Sequence, residues 1–234
     1  MGKNKKQRNH EHSEAVSLIT IADKSSPIAE QYRTIRTNIQ FASADRKIQT
    51  IVVTSSGPSE GKSTTAANIA VVFANSGQRV LLVDADMRKP TIHKTFGLTN
   101  EVGLSKVLSS NNSVLEMSRP SMVDNLSILT SGPKPPNPSE LLGSTRMNQV
   151  IEEARHLYDV IIFDMPPVVT VTDAQIMASK ADGTLLVVRE NVTRKDALTK
   201  AKDLLEMVQA RVLGVVYNGT KDVKDQSYYY YSND

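Results

Sequence analysis

One stretch constrains this chain more than any other. Ile48 to Thr54 reads IQTIVVT, a run with the composition of a buried strand. It continues into Thr54-Ser55-Ser56-Gly57-Pro58-Ser59-Glu60-Gly61-Lys62-Ser63-Thr64, and an Ala-rich helical pattern spans Gly61 to Ser76. Strand, Gly-containing loop and helix in that order make a Walker A pattern. Successive backbone N–H groups wrap phosphates, and the helix N-terminus adds the positive end of its dipole. Gly61 lets the backbone approach closely, Lys62 places a point charge at the β- and γ-phosphates, and Ser63 offers a hydroxyl to Mg²⁺. The expected nucleotide-binding residues are therefore Gly57, Pro58, Ser59, Glu60, Gly61, Lys62, Ser63 and Thr64. One departure is visible: Ser56 stands where the first glycine usually lies, with Gly57 beside it.

The rest of the chain repeats the same alternation. Val80–Asp84, Leu126–Thr130, Asp159–Asp164, Gly183–Val188 and Val212–Tyr217 are short apolar runs. Between them lie helical patterns at Val102–Ser109, Thr145–His156, Thr172–Ser179 and Lys195–Val208. A further helix is expected over Ile28–Ala44, where Ile28, Tyr32, Ile35 and Ile39 keep one apolar stripe. Asn137-Pro138-Ser139-Glu140 reads as a helix start, with Asn as N-cap and Glu at the third position. Continuous apolar strands alternating with helices predict an α/β fold, a single P-loop NTPase domain whose mostly parallel sheet has helices on both faces.

Two of the strands end in acids: VLLVD-Ala85-Asp86-Met87-Arg88 and VIIFD-Met165-Pro166-Pro167. Ligands bind beyond the C-terminal ends of parallel strands, so Asp84, Asp86 and Asp164 are expected to converge near the Ser63 hydroxyl. Carboxylates suit hard Mg²⁺, and one left over can take a proton from an attacking hydroxyl. Asn218 after the last strand reads either as a contact to an adenine edge or as an Asn-Gly turn.

The 234 residues are enough for one such domain, and the absence of cysteine excludes thiolate chemistry and disulfides. No apolar run reaches the ~20 residues of a membrane span. A net charge of +3 does not argue for nucleic acid as a ligand. Most of that excess sits before Glu14, in Lys3, Lys5, Lys6 and Arg8. Residues 1–25 are accordingly expected to be a flexible basic tail, 26–220 the folded domain and 221–234 a second tail. Aromatics make only 5% of the chain, yet four of the seven tyrosines, Tyr228, Tyr229, Tyr230 and Tyr231, stand together in that second tail.

This set of motifs resembles the bacterial tyrosine kinases, P-loop enzymes tied to capsule and exopolysaccharide synthesis, over about Ser26 to the C-terminus. The family's second acidic motif, D-x-D-x-R, is matched by Asp84, Asp86 and Arg88, and its D-x-x-P by Asp164 and Pro167. Its E-x-x-R-x-x-R helix is matched by Glu30, Arg33 and Arg36, and its tyrosine cluster by Tyr228–Tyr231. The resemblance implies ATP- and Mg²⁺-dependent tyrosine phosphorylation, with Lys62, Asp84 and Asp86 catalytic and Ser63, Asp84, Asp86 and Asp164 at the metal. Which of Asp84 and Asp86 is the base stays open. It also implies autophosphorylation of Tyr228–Tyr231 and a homo-oligomeric ring held by Glu30, Arg33 and Arg36. A transmembrane modulator would recruit this cytoplasmic chain to the inner face of the membrane, where it would act on protein tyrosines. On spacing alone the same helix residues read as a solvated face with i,i+3 pairs. The competing expectation is a deviant-Walker positioning ATPase without transfer. Such proteins carry an early P-loop lysine where this chain has Gly57.

Overall fold

Apolar residues at successive strand positions must be covered on both sides of a sheet, and the computed structural model of the chain shows how. It describes residues 16–42, 47–110 and 112–220. In chain order the elements are α1 (Ile19–Ala22), α2 (Pro27–Ala42), β1 (Thr50–Ser55), α3 (Lys62–Ala74), β2 (Val80–Asp84) and α4 (Ile92–Thr95). They continue with α5 (Leu104–Ser109), α6 (Val114–Met117), β3 (Arg119–Pro120), β4 (Leu126–Leu129), α7 (Pro138–Gly143) and α8 (Thr145–Leu157). The last are β5 (Val160–Asp164), α9 (Asp173–Ala178), β6 (Gly183–Arg189), α10 (Lys195–Met207) and β7 (Val212–Asn218).

The strands form one sheet of order β3-β4-β2-β5-β1-β6-β7. All neighbours are parallel except the short β3–β4 pair. Strand side chains alternate between two cores. Val52, Leu81, Val83, Ile161 and Phe163 join Val150, Ile151, Met177 and Leu205 of α8, α9 and α10. Ile51, Val53, Leu82, Ile162 and Val187 face the other way, onto Tyr32 and Ile39 of α2 and Ile69 and Phe73 of α3. The α/β expectation, a mostly parallel sheet between two helical layers, holds.

Three local departures have physical causes. Helix α3 begins at Lys62 and not at Gly61, because Gly61 takes a left-handed conformation (φ 95°) at the loop exit. The Asn137 side chain does not cap a backbone N–H of α7; its amide donates instead to the Glu140 carboxylate at 2.9 Å. Residues 16–25, expected to belong to a flexible tail, are held against the fold, and residues 1–15 lie outside the described residues. The Val16 N–H donates to Thr95 Oγ1 at 2.9 Å, and buried Thr20 donates through its N–H and hydroxyl to Asn68 Oδ1 at 3.1 and 2.8 Å. Asn68 in turn donates to the carbonyls of Ser17 and Thr64. Residues 16–25 thus dock on α3 and α4.

At the opposite end of the sheet from the P-loop, a buried clip joins β1 to α8 and the entry of β6. Both Asp182 oxygens accept from Arg155, at 2.9 and 3.0 Å, and Oδ2 also accepts from the Gln49 and Thr50 N–H groups. Burial raises the Asp182 pKa, but Arg155 and the Thr50 and Gln49 donors outweigh it and hold the carboxyl down at about 2.

Candidate active site

The C-terminal end of β1 releases the chain into the P-loop, and the loop is braced from four sides. Within it, the Ser55 hydroxyl donates to Gly57 O at 2.7 Å. The Glu60 side chain folds inward, is nearly fully buried, and accepts from Ser56 N at 2.9 Å and Ser56 Oγ at 2.8 Å. Glu60 therefore shapes the loop from within, through a carboxylate engaged by Ser56. From β6, Arg189 Nη1 donates to the carbonyl of Ser59 at 2.9 Å, steadying a residue that has φ 62° without being glycine. From the end of β7, Asn218 Nδ2 donates to Glu60 O at 3.2 Å. A Cβ at position 61 would sit 2.0 Å from that amide nitrogen, so glycine is required there by conformation and by space. Asn218 also borders a cavity of about 170 Å³, between Tyr32 and Ile35 of α2 and Tyr217 of β7.

Beside the loop, adjacent parallel strands bring two acids into register, with Asp84 of β2 paired to Asp164 of β5. The Lys62 ammonium donates to Asp86 Oδ2 at 2.9 Å, Ser63 Oγ at 3.2 Å and Asp164 Oδ1 at 3.5 Å. Asp84 Oδ2 accepts the Thr91 and Ile92 N–H groups at the start of α4, at 3.1 and 3.0 Å. Asp86 Oδ1 accepts Lys89 N at 3.0 Å. Asp84, Asp86 and Asp164, expected to converge near the Ser63 hydroxyl, are brought together there, with Lys62 linking Asp86, Asp164 and Ser63.

Electrostatics follow from burial. Both Asp84 and Asp164 are completely buried. Burial and the Asp164 carboxylate push Asp84 well above the usual carboxylate range. Burial raises Asp164 too, while Lys62 and the Ser63 hydroxyl pull it back. Burial alone would lower Lys62, but Asp164 and Asp86 raise it above its ordinary value, so it is a fixed cation. Asp84 Oδ1 and Asp164 Oδ2 are buried without a hydrogen-bond partner. Among the described residues no three His, Asp or Glu side chains form a closed metal cage. That donor set fits Mg²⁺, which prefers one or two carboxylates and keeps waters and substrate phosphates in its remaining positions.

Other sequence candidates take structural places. Arg88 makes a two-pronged pair with buried Asp173, Nε to Oδ2 and Nη2 to Oδ1 at 3.0 Å each. Ser139 of α7 closes that triangle, donating to Asp173 at 2.6 Å. On α2, Arg33 donates to Glu30 at 2.6 Å and to Lys24 O at 3.1 and 3.0 Å. Arg36 donates to Val72 O of α3 at 3.0 Å. Tyr228–Tyr231 lie outside the described residues. The bracing by Arg189, the Asp84 donors on α4 and the Asp173 partner of Arg88 carry no sequence signal. Each is a contact between segments that only the fold brings together.

Comparison with known proteins agrees with this geometry. The profile of an AAA-domain family matches residues 48–213. Tyrosine-protein kinase YwqD of Bacillus subtilis is 49% identical over 92% of this chain and 91% of its own length. The putative tyrosine-protein kinase CapB of Staphylococcus aureus is 41% identical over 92% of this chain and 95% of its own. The crystal structure of the chimerical protein CapA2B2 superposes with a TM-score of 0.85 at 42% identity, covering 89% of this chain and 93% of that one.

Proposed function

Because the chain belongs to the bacterial tyrosine-protein kinases, within the AAA-domain family, we propose that it transfers the γ-phosphoryl group of ATP to protein tyrosines, its own Tyr228–Tyr231 included. One observation carries the assignment of chemistry. A half-buried lysine and three aspartates from two strand ends meet at the mouth of a P-loop, with two carboxylate oxygens left without partners.

Each group has a role set by its position. Lys62 leaves its carboxylate partners for the β- and γ-phosphate oxygens, a point charge on a flexible stem. Gly57, Pro58, Ser59, Glu60, Gly61 and Thr64 supply loop backbone, and Asn218 holds the loop where the base would lie. Mg²⁺, when bound with the nucleotide, would neutralise charge on the β- and γ-oxygens and be held by Ser63, by Asp164 through water, and by Asp84 or Asp86. The remaining carboxylate of that pair accepts the phenolic proton while the tyrosine oxygen bonds to phosphorus and the bond to the ADP oxygen breaks.

The assembly is proposed in the same terms. Among the described residues no helix is long and apolar enough to cross a membrane. By analogy with its relatives, a transmembrane modulator would bring the chain to the inner membrane face, where capsule or exopolysaccharide synthesis is regulated. Glu30 and Arg33 form an exposed charged face on α2 suited to contact between copies in a ring, and Arg36 anchors that helix to α3. Incubation with ATP and Mg²⁺, with and without a modulator tail fragment, followed by phosphotyrosine mapping by mass spectrometry, tests the reading. Phosphate on Tyr228–Tyr231 is expected, and its absence under both conditions refutes kinase activity.

A further inference from the structure

Beside the site lies a cation that the proposed transfer step does not use. Strands β4, β2 and β5 are neighbours in the sheet and run parallel, so the segments that follow them emerge on one side. Arg88 stands on the loop after β2, Ser139 in the first turn of α7 after β4, and Asp173 at the first position of α9 after β5. The Arg88 guanidinium donates to Asp173 through Nε and Nη2, at 3.0 Å each, and through Nη2 to Ser139 Oγ at 3.1 Å. Ser139 donates in turn to Asp173 Oδ1 at 2.6 Å. Asp173 is fully buried, so its charge is answered by these donors and not by water. Arg88 is partly exposed and has room to turn.

The same cation sits next to a carboxylate that has other work. Asp86 precedes Arg88 by two residues and folds over the turn between them, its Oδ1 accepting the Lys89 N–H at 3.0 Å. Hydrogen bonds to Asp173 raise the Arg88 pKa against burial, and the charges of Asp173 and then Asp86 add to that. Arg88 thus feels both carboxylates and is bonded to Asp173. Asp86 Oδ2 is meanwhile occupied by Lys62 at 2.9 Å. In the kinase reading above, Lys62 moves to the nucleotide phosphates, and Arg88 is then the next cation along the loop. A guanidinium keeps its charge at any working pH and carries a fork of donors shaped for a carboxylate. Unrestrained, it would close on Asp86.

We propose that Asp173 is a positioning residue for the metal site: it restrains Arg88, with Ser139 bracing the pair, so that Asp86 is left to Mg²⁺ once Lys62 has moved. The inference rests on the kinase reading and adds to it a group outside the contacts assigned there. Asp173 acts through charge. Its loss sets a cation against the metal, and removing that cation as well cancels the loss. A tie that merely braced the loop would behave in the opposite way, because losing its second end cannot restore it.

The test compares the full chain with Asp173→Asn and with Asp173→Asn combined with Arg88→Gln, folding being checked by circular dichroism. Anisotropy of a fluorescent ADP is read in EDTA and across a Mg²⁺ titration, whose midpoint is the measurement. For Asp173→Asn the midpoint is expected to rise about fivefold or more, with affinity in EDTA not weakened. The combined variant is expected to return it to within about twofold of the parent or below. Transfer to Tyr228–Tyr231 by Asp173→Asn is expected to need more Mg²⁺ and to recover its kcat when Mg²⁺ is saturating. An unchanged midpoint for Asp173→Asn, a combined variant as impaired as the single one, or equal weakening in EDTA overturns the proposal. So does a parent whose nucleotide affinity does not respond to Mg²⁺. If Asp173→Asn alone does not fold, the combined variant decides, and a raised midpoint there overturns the proposal. No transfer by the parent, with or without a modulator tail fragment, refutes the kinase reading, and the fluorescent-ADP titration then still decides the role of Asp173.

Discussion

Replacing Asp182 with asparagine isolates what one buried charge contributes to this fold. The carboxylate accepts from Arg155 in two places and from the Gln49 and Thr50 N–H groups, at 2.9 to 3.0 Å. Those donors hold its pKa at about 2, against an ordinary value of about 3.9. The difference corresponds to roughly 2.5 kcal/mol, and screening by nearby solvent reduces it to about 1–2 kcal/mol. For a chain of this size that is a fall in Tm of about 3–6 °C for Asp182→Asn at neutral pH. The sign is fixed because the folded pKa is depressed. The stabilisation is complete above the unfolded pKa and is lost as pH falls through the folded one. The gap between parent and variant should therefore be full at pH 6 and shrink steadily from about pH 4 towards pH 2. Thermal unfolding followed by circular dichroism across that range reads it. The clip lies at the other end of β1 from the P-loop, so nucleotide affinity should not change. A gap of equal size at pH 3 and pH 6 would refute the carboxylate charge as its source.

Three further outcomes follow from the site. Gly61→Ala places a Cβ against Asn218 in a left-handed conformation costing about 1–2 kcal/mol, and should weaken ATP binding about tenfold or more by fluorescent-nucleotide titration. Lys62→Met should abolish transfer and leave Asp84, Asp86 and Asp164 without their cation. Its Tm should fall, and millimolar Mg²⁺ should raise it more than it raises that of the parent. Thr20→Val removes a buried hydroxyl bond to Asn68 and should lower Tm by roughly 2–4 °C, an amount set by ~1 kcal/mol.

What could be read from sequence was local. The P-loop announces itself because its glycine, lysine and serine occupy consecutive positions between a strand and a helix. Asp84 and Asp164 were legible because each closes an apolar run, and parallel strands present their ends to one side. Strand β3 was not, since Arg119-Pro120 has no periodicity and exists only by pairing with Ser127 and Ile128 of β4. Helix α4 is four residues long, too short for a pattern, yet it supplies the donors that seat Asp84. Glu60 was placed in the nucleotide loop by its position, but its inward turn onto Ser56 depends on the fold of the loop. The spacing of Glu30, Arg33 and Arg36 reads as one helical side, and Glu30 and Arg33 pair there across one turn of α2. That Arg36 reaches across to Val72 needed α3 beside it.

The docking of residues 16–25 redraws the smallest unit that can be expected to work. A shortened protein starting at Ser26, the cut that composition suggests, would strip Thr20 from Asn68 and Val16 from Thr95. Asn68 also holds the carbonyl of Thr64, in the first turn of the phosphate-binding helix, and Thr95 closes the turn whose first amides seat Asp84. Trimming ten outwardly dispensable residues would thus loosen the two helices that flank the reaction centre. A recombinant kinase unit should begin no later than Val16, and a fusion partner belongs ahead of that point, with a spacer.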